Sequence, residues 1–117
     1  MDDRRERRGA QRKYSQSFGS GGELELIQLW INLPAAQKMH EPVYQGFQKD
    51  EIPAWVSEDK NTEVRVISGS FGGFSGPVDS LTGIRALTIY MKPGASLNIQ
   101  EGIDQNPVLY QLKGNAL

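Results

Sequence analysis

Apolar and polar positions alternate with period two along several short stretches of the chain. None keeps the three-to-four spacing of a long amphipathic helix. Leu24 and Leu26, then Ile27, Leu29, Ile31 and Leu33, alternate with Gln28, Trp30 and Asn32. This predicts a strand over 24–33 whose phase slips at Leu26-Ile27, as at a β-bulge. Pro34 stops it, and 35–39 has room for one helical turn before Pro42. Residues 44–49 read as extended. Strands over 52–56 and Thr62–Ser68 are predicted to pair as a hairpin across the polar turn Glu58-Asp59-Lys60-Asn61, with Val64 and Val66 on one face. Residues 69–83, rich in glycine, read as a long loop. Segments 85–91, 95–99 and 108–112 are the last three predicted strands. Leu87, Ile89 and Met91 share one face, and Val108, Tyr110 and Leu112 another. Short strands punctuated by Gly and Pro predict an all-β sandwich or barrel.

Composition narrows the chemistry. The chain has 117 residues, enough for one ordinary domain, with 38% hydrophobic and 23% charged residues. No run reaches the ~18 apolar residues of a membrane span. The absence of cysteine excludes disulfides, zinc fingers, iron–sulfur ligation and thiol catalysis. The single histidine, His40, excludes a multi-histidine metal site within one chain. Charge is uneven. Residues 1–22 carry six basic groups against Asp2, Asp3 and Glu6, a net of +3; the rest carries seven basic and eleven acidic groups, a net of −4. The head has too few aliphatic residues to offset its ordering entropy, so 1–22 is predicted to be a basic flexible arm. Interspersed acids blunt its field and no defined motif accompanies it, so neither nucleic acid nor membrane is expected as a partner. The head also lacks the apolar core of a secretory signal, and a cytoplasmic location is expected. The glycines of 69–83 follow neither GxGxxG nor the P-loop pattern, so that loop is not expected to cradle phosphate.

Two passages go beyond fold class. The first runs Ile27-Gln-Leu-Trp-Ile-Asn-Leu-Pro-Ala-Ala-Gln-Lys-Met-His-Glu-Pro-Val-Tyr-Gln45. It closely resembles the stretch joining the two halves of pirin proteins, where a Gln-Leu-Trp-[Ile/Val]-Asn-Leu-Pro strand precedes Lys-Met-x-x-Pro-x-Tyr-Gln. The second, Val64-Arg-Val-Ile-Ser-Gly69 continuing to Leu87-Thr-Ile-Tyr-Met-Lys-Pro-Gly-Ala-Ser96, is similar to the start of the second pirin domain. Residues 1–22 do not resemble the family. The resemblance implies a bicupin, two β-barrels packed face to face, with one iron in the first barrel held by three His and one Glu. It implies quercetin 2,3-dioxygenase activity in some members and partner-binding roles in others. For this chain it implies a partial cupin barrel (a double-stranded β-helix or jelly roll), incomplete at both ends. Residues 23–50 would be the inter-domain strand and connector, and 51–117 the start of the C-terminal cupin barrel.

The family's iron ligands lie upstream of the Gln-Leu-Trp strand, in His-x-His and His-x-Glu segments. Where the second of these would fall, this chain offers Gln11, Arg12, Lys13 and Tyr14. The general cupin frame fits from Gly94 to Gly114, but its ligand positions hold Gln100, Gly102 and Pro107. No catalytic, cofactor-binding or metal residue is therefore assigned. No cofactor is expected in this chain, and iron is expected only in full-length family members. An incomplete barrel leaves strand edges unpaired, which predicts a homo-oligomer, an edge-paired or swapped dimer, or else a protein partner.

The remaining candidates are weak. His40 beside Glu41 lacks a second catalytic group. Glu101 and Asp104 are expected to be solvated loop acids, too few for a hard-cation site. Trp30, Trp55, Tyr44 and Phe47 read as packing residues or, if exposed, a protein-binding patch. The foremost functional expectation is a pirin-like protein or truncated paralogue, non-catalytic and acting through protein association. An iron-dependent quercetin 2,3-dioxygenase is the alternative. A small-ligand shell around Leu87, Ile89 and Leu97 is a third.

Overall fold

The computed structural model describes residues 21–102 and 104–115. Apart from Gly21 and Gly22, the predicted basic arm lies outside the described residues. Five strands form: β1 (Ala54–Val56), β2 (Thr62–Ser68), β3 (Ser70–Phe71), β4 (Phe74–Ser75) and β5 (Ala86–Met91). β2 is the centre of a three-stranded antiparallel sheet with β1 and β5 on its flanks. Its alternating, β-branched sequence explains that place. Thr62, Val64, Val66 and Ser68 all face inward and are buried, with Val64 and Val66 at 0% exposure. Val64 lies between Trp55 and Ile89, and Val66 opposite Leu87. Burying each valine contributes about 1.5–3 kcal/mol.

The predicted hairpin of β1 with β2 forms, and its turn is held by side chains as well as backbone. The Ser57 hydroxyl donates to Asp59 Oδ1 at 2.5 Å and accepts the Thr62 N–H at 3.1 Å. Asp59 Oδ1 also accepts the Asn61 N–H at 3.0 Å. Lys60 completes the turn at a φ of 60°, its N–H donating to the Ser57 carbonyl.

The segment 69–83 is not one long loop. β3 and β4 pair as a tight hairpin, Ser70 opposite Ser75 and Phe71 opposite Phe74. Gly72 and Gly73, at φ 58° and 85°, take the left-handed conformations of a two-residue hairpin turn. A Gly-Gly pair between two phenylalanines is that signal, hidden here by the surrounding glycines. Phe71 then meets Trp55 edge to face, 5.3 Å between centroids. A Cβ on Gly72 would lie 2.4 Å from Trp55 Cδ1. Gly76 passes as close to Ile67, where its Cβ would stand 2.4 Å from the carbonyl. Only glycine lets the chain turn back there to bridge Ser68 and Val78.

Three predicted strands do not form ladders. Segments 24–33, 95–99 and 108–112 carry no strand assignment, and no backbone hydrogen bond is made within them or to the sheet. Alternation still marks 95–99, where Ala95, Leu97 and Ile99 are half-buried and Ser96 and Asn98 exposed. Period two was correct for that segment's sidedness, but a ladder also needs an aligned neighbour. The turn expected after Pro34 is a 3₁₀ turn, Ala35–Gln37. A second, Lys49–Glu51, precedes β1 with the Glu51 carboxylate on the Gln48 N–H at 2.5 Å. The described residues hold strands and these two turns and no α-helix, an all-β architecture. None of their helices is long and apolar enough to cross a membrane.

Candidate functional site

The connector leading from 24–33 to the sheet carries the most motif residues. His40 ends its 3₁₀ turn, donating its N–H to the Gln37 carbonyl at 3.1 Å. Its ring Nδ1 lies 2.9 Å from the Glu41 backbone oxygen, and the residue is exposed. The Glu41 carboxylate takes no part, so the pair makes no acid–base couple. Two residues that entered the sequence reading only as letters of the quoted Ile27–Gln45 passage matter more. Gln37 and Gln45 reach across to the backbone of Leu81 and Asp79. A glutamine in a proline-bounded connector has no periodicity to flag it.

Glu101 and Asp104 are not a pair. Arg85, just before β5, forms an ion pair with Glu101 and donates to the Gln100 carbonyl at 2.8 Å. It also reaches the Ser70 carbonyl at 3.5 Å. One guanidinium thus ties the 100–101 loop to the start of β3, and Glu101, though exposed as expected, is ion-paired. Asp104 is exposed. Gln100 offers its carbonyl to Arg85, and Gly102 offers its carbonyl to the Gln105 N–H.

The donor set does not fit the iron site implied by the family resemblance. Three histidines are required and the chain has one. Among the described residues, no group of three or more His, Cys, Asp or Glu side chains is placed to hold a metal ion. Leu87, Ile89 and Leu97 are half-buried. An open groove of about 390 Å³ lies elsewhere, by the β1–β2 turn, lined by Val56, Lys60, Asn61, Glu63, Tyr90 and Lys92 among others. No buried polar group converges on it.

The largest chemical feature is apolar and exposed. Trp30 is 85% exposed and Val108 93%, with Leu29, Leu109 and Tyr110 largely exposed as well. Both faces of 26–31 are uncovered, since Leu26, Ile27, Leu29, Trp30 and Ile31 all meet solvent. Just beyond 108–112, Lys113 Nζ lies 3.9 Å from Glu25 Oε2. Trp55 is packed, whereas Trp30, Tyr44 and Phe47 are exposed. Unladdered backbone with large apolar side chains can bind other extended chain or sheet.

Comparison with known proteins gives a consistent set. The chain is 38% identical over 85 residues to a provisionally named quercetin 2,3-dioxygenase of Pseudomonas aeruginosa, covering 72% of this chain and 30% of that protein. It is 41% identical over 69 residues to Pirin-1 of Arabidopsis thaliana, covering 59% of this chain and 23% of the relative. Against pirin of Homo sapiens it is 42% identical over 69 residues, with the same 59% and 23%. The chain spans less than a third of the length of these relatives. No family model matches it. No solved structure matches it at significance.

Proposed function

This chain is a relative of the pirin family, matched over part of its length, and on that premise we propose that it works through protein association rather than catalysis. Residues 23–50 serve as the inter-domain connector, its first part extended but unladdered, and 51–117 as the start of a cupin barrel. The partner is a second copy of the chain, edge-paired or swapped, in the cytoplasm. The observation that carries this is the exposed apolar surface of 24–31 and 108–112, where Trp30 and Val108 are 85% and 93% exposed. Monomeric proteins rarely leave many large apolar side chains of one segment in water together.

The test is the solution mass of the full chain by sedimentation, beside the variants Leu29→Asp and Tyr110→Asp. A wild-type dimer and monomeric variants with an intact sheet support association. A stable wild-type monomer with protected amides along 108–112 overturns it.

The names of the Pseudomonas and Thermoplasma relatives favour a second reading, a quercetin 2,3-dioxygenase. This chain's residues do not fit the iron site such a pirin needs, so the activity would have to be built with ligands from elsewhere. Iron content by elemental mass spectrometry separates the two. Near-stoichiometric iron with quercetin consumption would put the enzyme first. Less than about a tenth of an equivalent leaves association in place.

A further inference from the structure

The connector is fastened to the sheet domain by two glutamine side chains of different quality. Gln45 Nε2 donates to the Asp79 carbonyl at 2.8 Å, and Gln45 Oε1 accepts the Asp79 N–H at 2.9 Å. One side-chain amide thus pairs with both backbone groups of one residue, reproducing a rung of a β-ladder across 34 positions of sequence. Gln37 makes only half of such a rung. Its Nε2 donates to the Leu81 carbonyl at 3.2 Å, while no donor among the described residues reaches its buried Oε1. Turning the amide over would set oxygen against the Leu81 oxygen, so the Leu81 contact itself leaves that acceptor stranded. A buried acceptor without a donor favours leaving its site.

We propose that Gln37 and Gln45 form an asymmetric clasp holding the connector 34–48 on the 76–82 loop, with Gln45 the anchor and Gln37 the release point. The connector then opens from its Pro34 end while Gln45 stays fixed. That motion re-aims the apolar segment 24–33, which is attached directly to Pro34 and makes no backbone hydrogen bond with the other described residues. Gln45 and Gln37 are positioning residues. The clasp is independent of the proposed dimer, since it rests on contacts within one chain.

The test uses the full chain, amide hydrogen exchange, and spin labels at Gln28→Cys and Glu58→Cys, both introduced into a chain without cysteine. Gln45→Met should speed Asp79 amide exchange tenfold or more and broaden the label-to-label distance distribution. Gln37→Met removes the stranded acceptor and should change Asp79 exchange less than twofold. The Val64 amide, deep in β2, should stay protected in both, showing that the sheet is intact. Equal acceleration of Asp79 by the two variants would remove the asymmetry. A distance distribution unchanged by Gln45→Met would show that the clasp does not position 24–33. Both readouts work on monomer or dimer, so the clasp and the association stand or fall separately.

Discussion

β2 and the segment 24–33 are written in nearly the same hydrophobic alphabet and end in opposite states. β2 alternates Thr62, Val64, Val66 and Ser68 against Glu63, Arg65 and Ile67, and one face is wholly buried. Segment 24–33 carries more apolar bulk, yet Leu29 and Trp30 lie in solvent and its backbone makes no ladder. The difference lies in what flanks each. β2 has a five-residue turn that returns β1 onto it, and β5 is delivered to its other side. Segment 24–33 is followed by Pro34, a 3₁₀ turn and Pro42, and no described strand pairs with it. Alternation makes a strand possible; the turn that returns a neighbour makes it real.

The sharpest way to break this comparison is to put the same charge into both regions. Val66→Asp places an unpaired carboxylate at a position with 0% exposure. It should cost about 4–5 kcal/mol or more and abolish cooperative unfolding in urea. Leu29→Asp, in the exposed segment, should change that transition by no more than about 0.5 kcal/mol when both proteins are compared at concentrations too low for dimer to form. Comparable losses from the two variants would mean that 24–33 is buried in solution and the contrast is false.

A smaller effect sharpens what holds the sheet side together. Gly72 and Gly73 share left-handed backbone, but only Gly72 faces Trp55; nothing lies within 4 Å of a Cβ on Gly73. Each glycine replaced by alanine should cost about 1–2 kcal/mol for its backbone conformation alone. Gly72→Ala should exceed Gly73→Ala, because it also displaces the indole from Phe71. Thermal unfolding of the two variants side by side measures the Trp55 contact by difference. Equal losses would assign the hairpin to backbone preference only.

The sheet was legible where local chemistry closes on itself. Period two over 62–68 and the polar turn before it named β2 and its neighbour β1, while the apolar face of 85–91 named a strand without its partner. The hairpin inside 69–83 was missed because four glycines within residues 69–76 obscure which pair makes the turn. Arg85 was missed for another reason. Its partners at Ser70, Gln100 and Glu101 are about 15 positions away in either direction, and a lone arginine before a strand reads as solvated. The glutamine clasp had even less signal, since it joins side chains to main-chain groups some 34 to 44 positions on.

The smallest expected effect tests whether the β1–β2 turn is held by charge or by shape. The Ser57 hydroxyl, first, and the Asn61 N–H both donate to the Asp59 carboxylate, favouring its ionised form and lowering its pKa below the ordinary carboxylate range. The unfolded chain titrates Asp59 near about 3.9. A depressed folded value therefore contributes stability that is present above that pH and lost as pH falls through the folded pKa. Asp59→Asn keeps an oxygen acceptor in the same place but removes the charge. Wild type should be the more stable of the two near neutrality, by a small margin because the group is exposed. That margin should close on acidification from about pH 6 toward pH 3 and below, read by thermal unfolding across the series. A margin that does not move with pH would assign the turn to geometry. The feature that returns β1 to β2, which segment 24–33 lacks, would then be steric and not electrostatic.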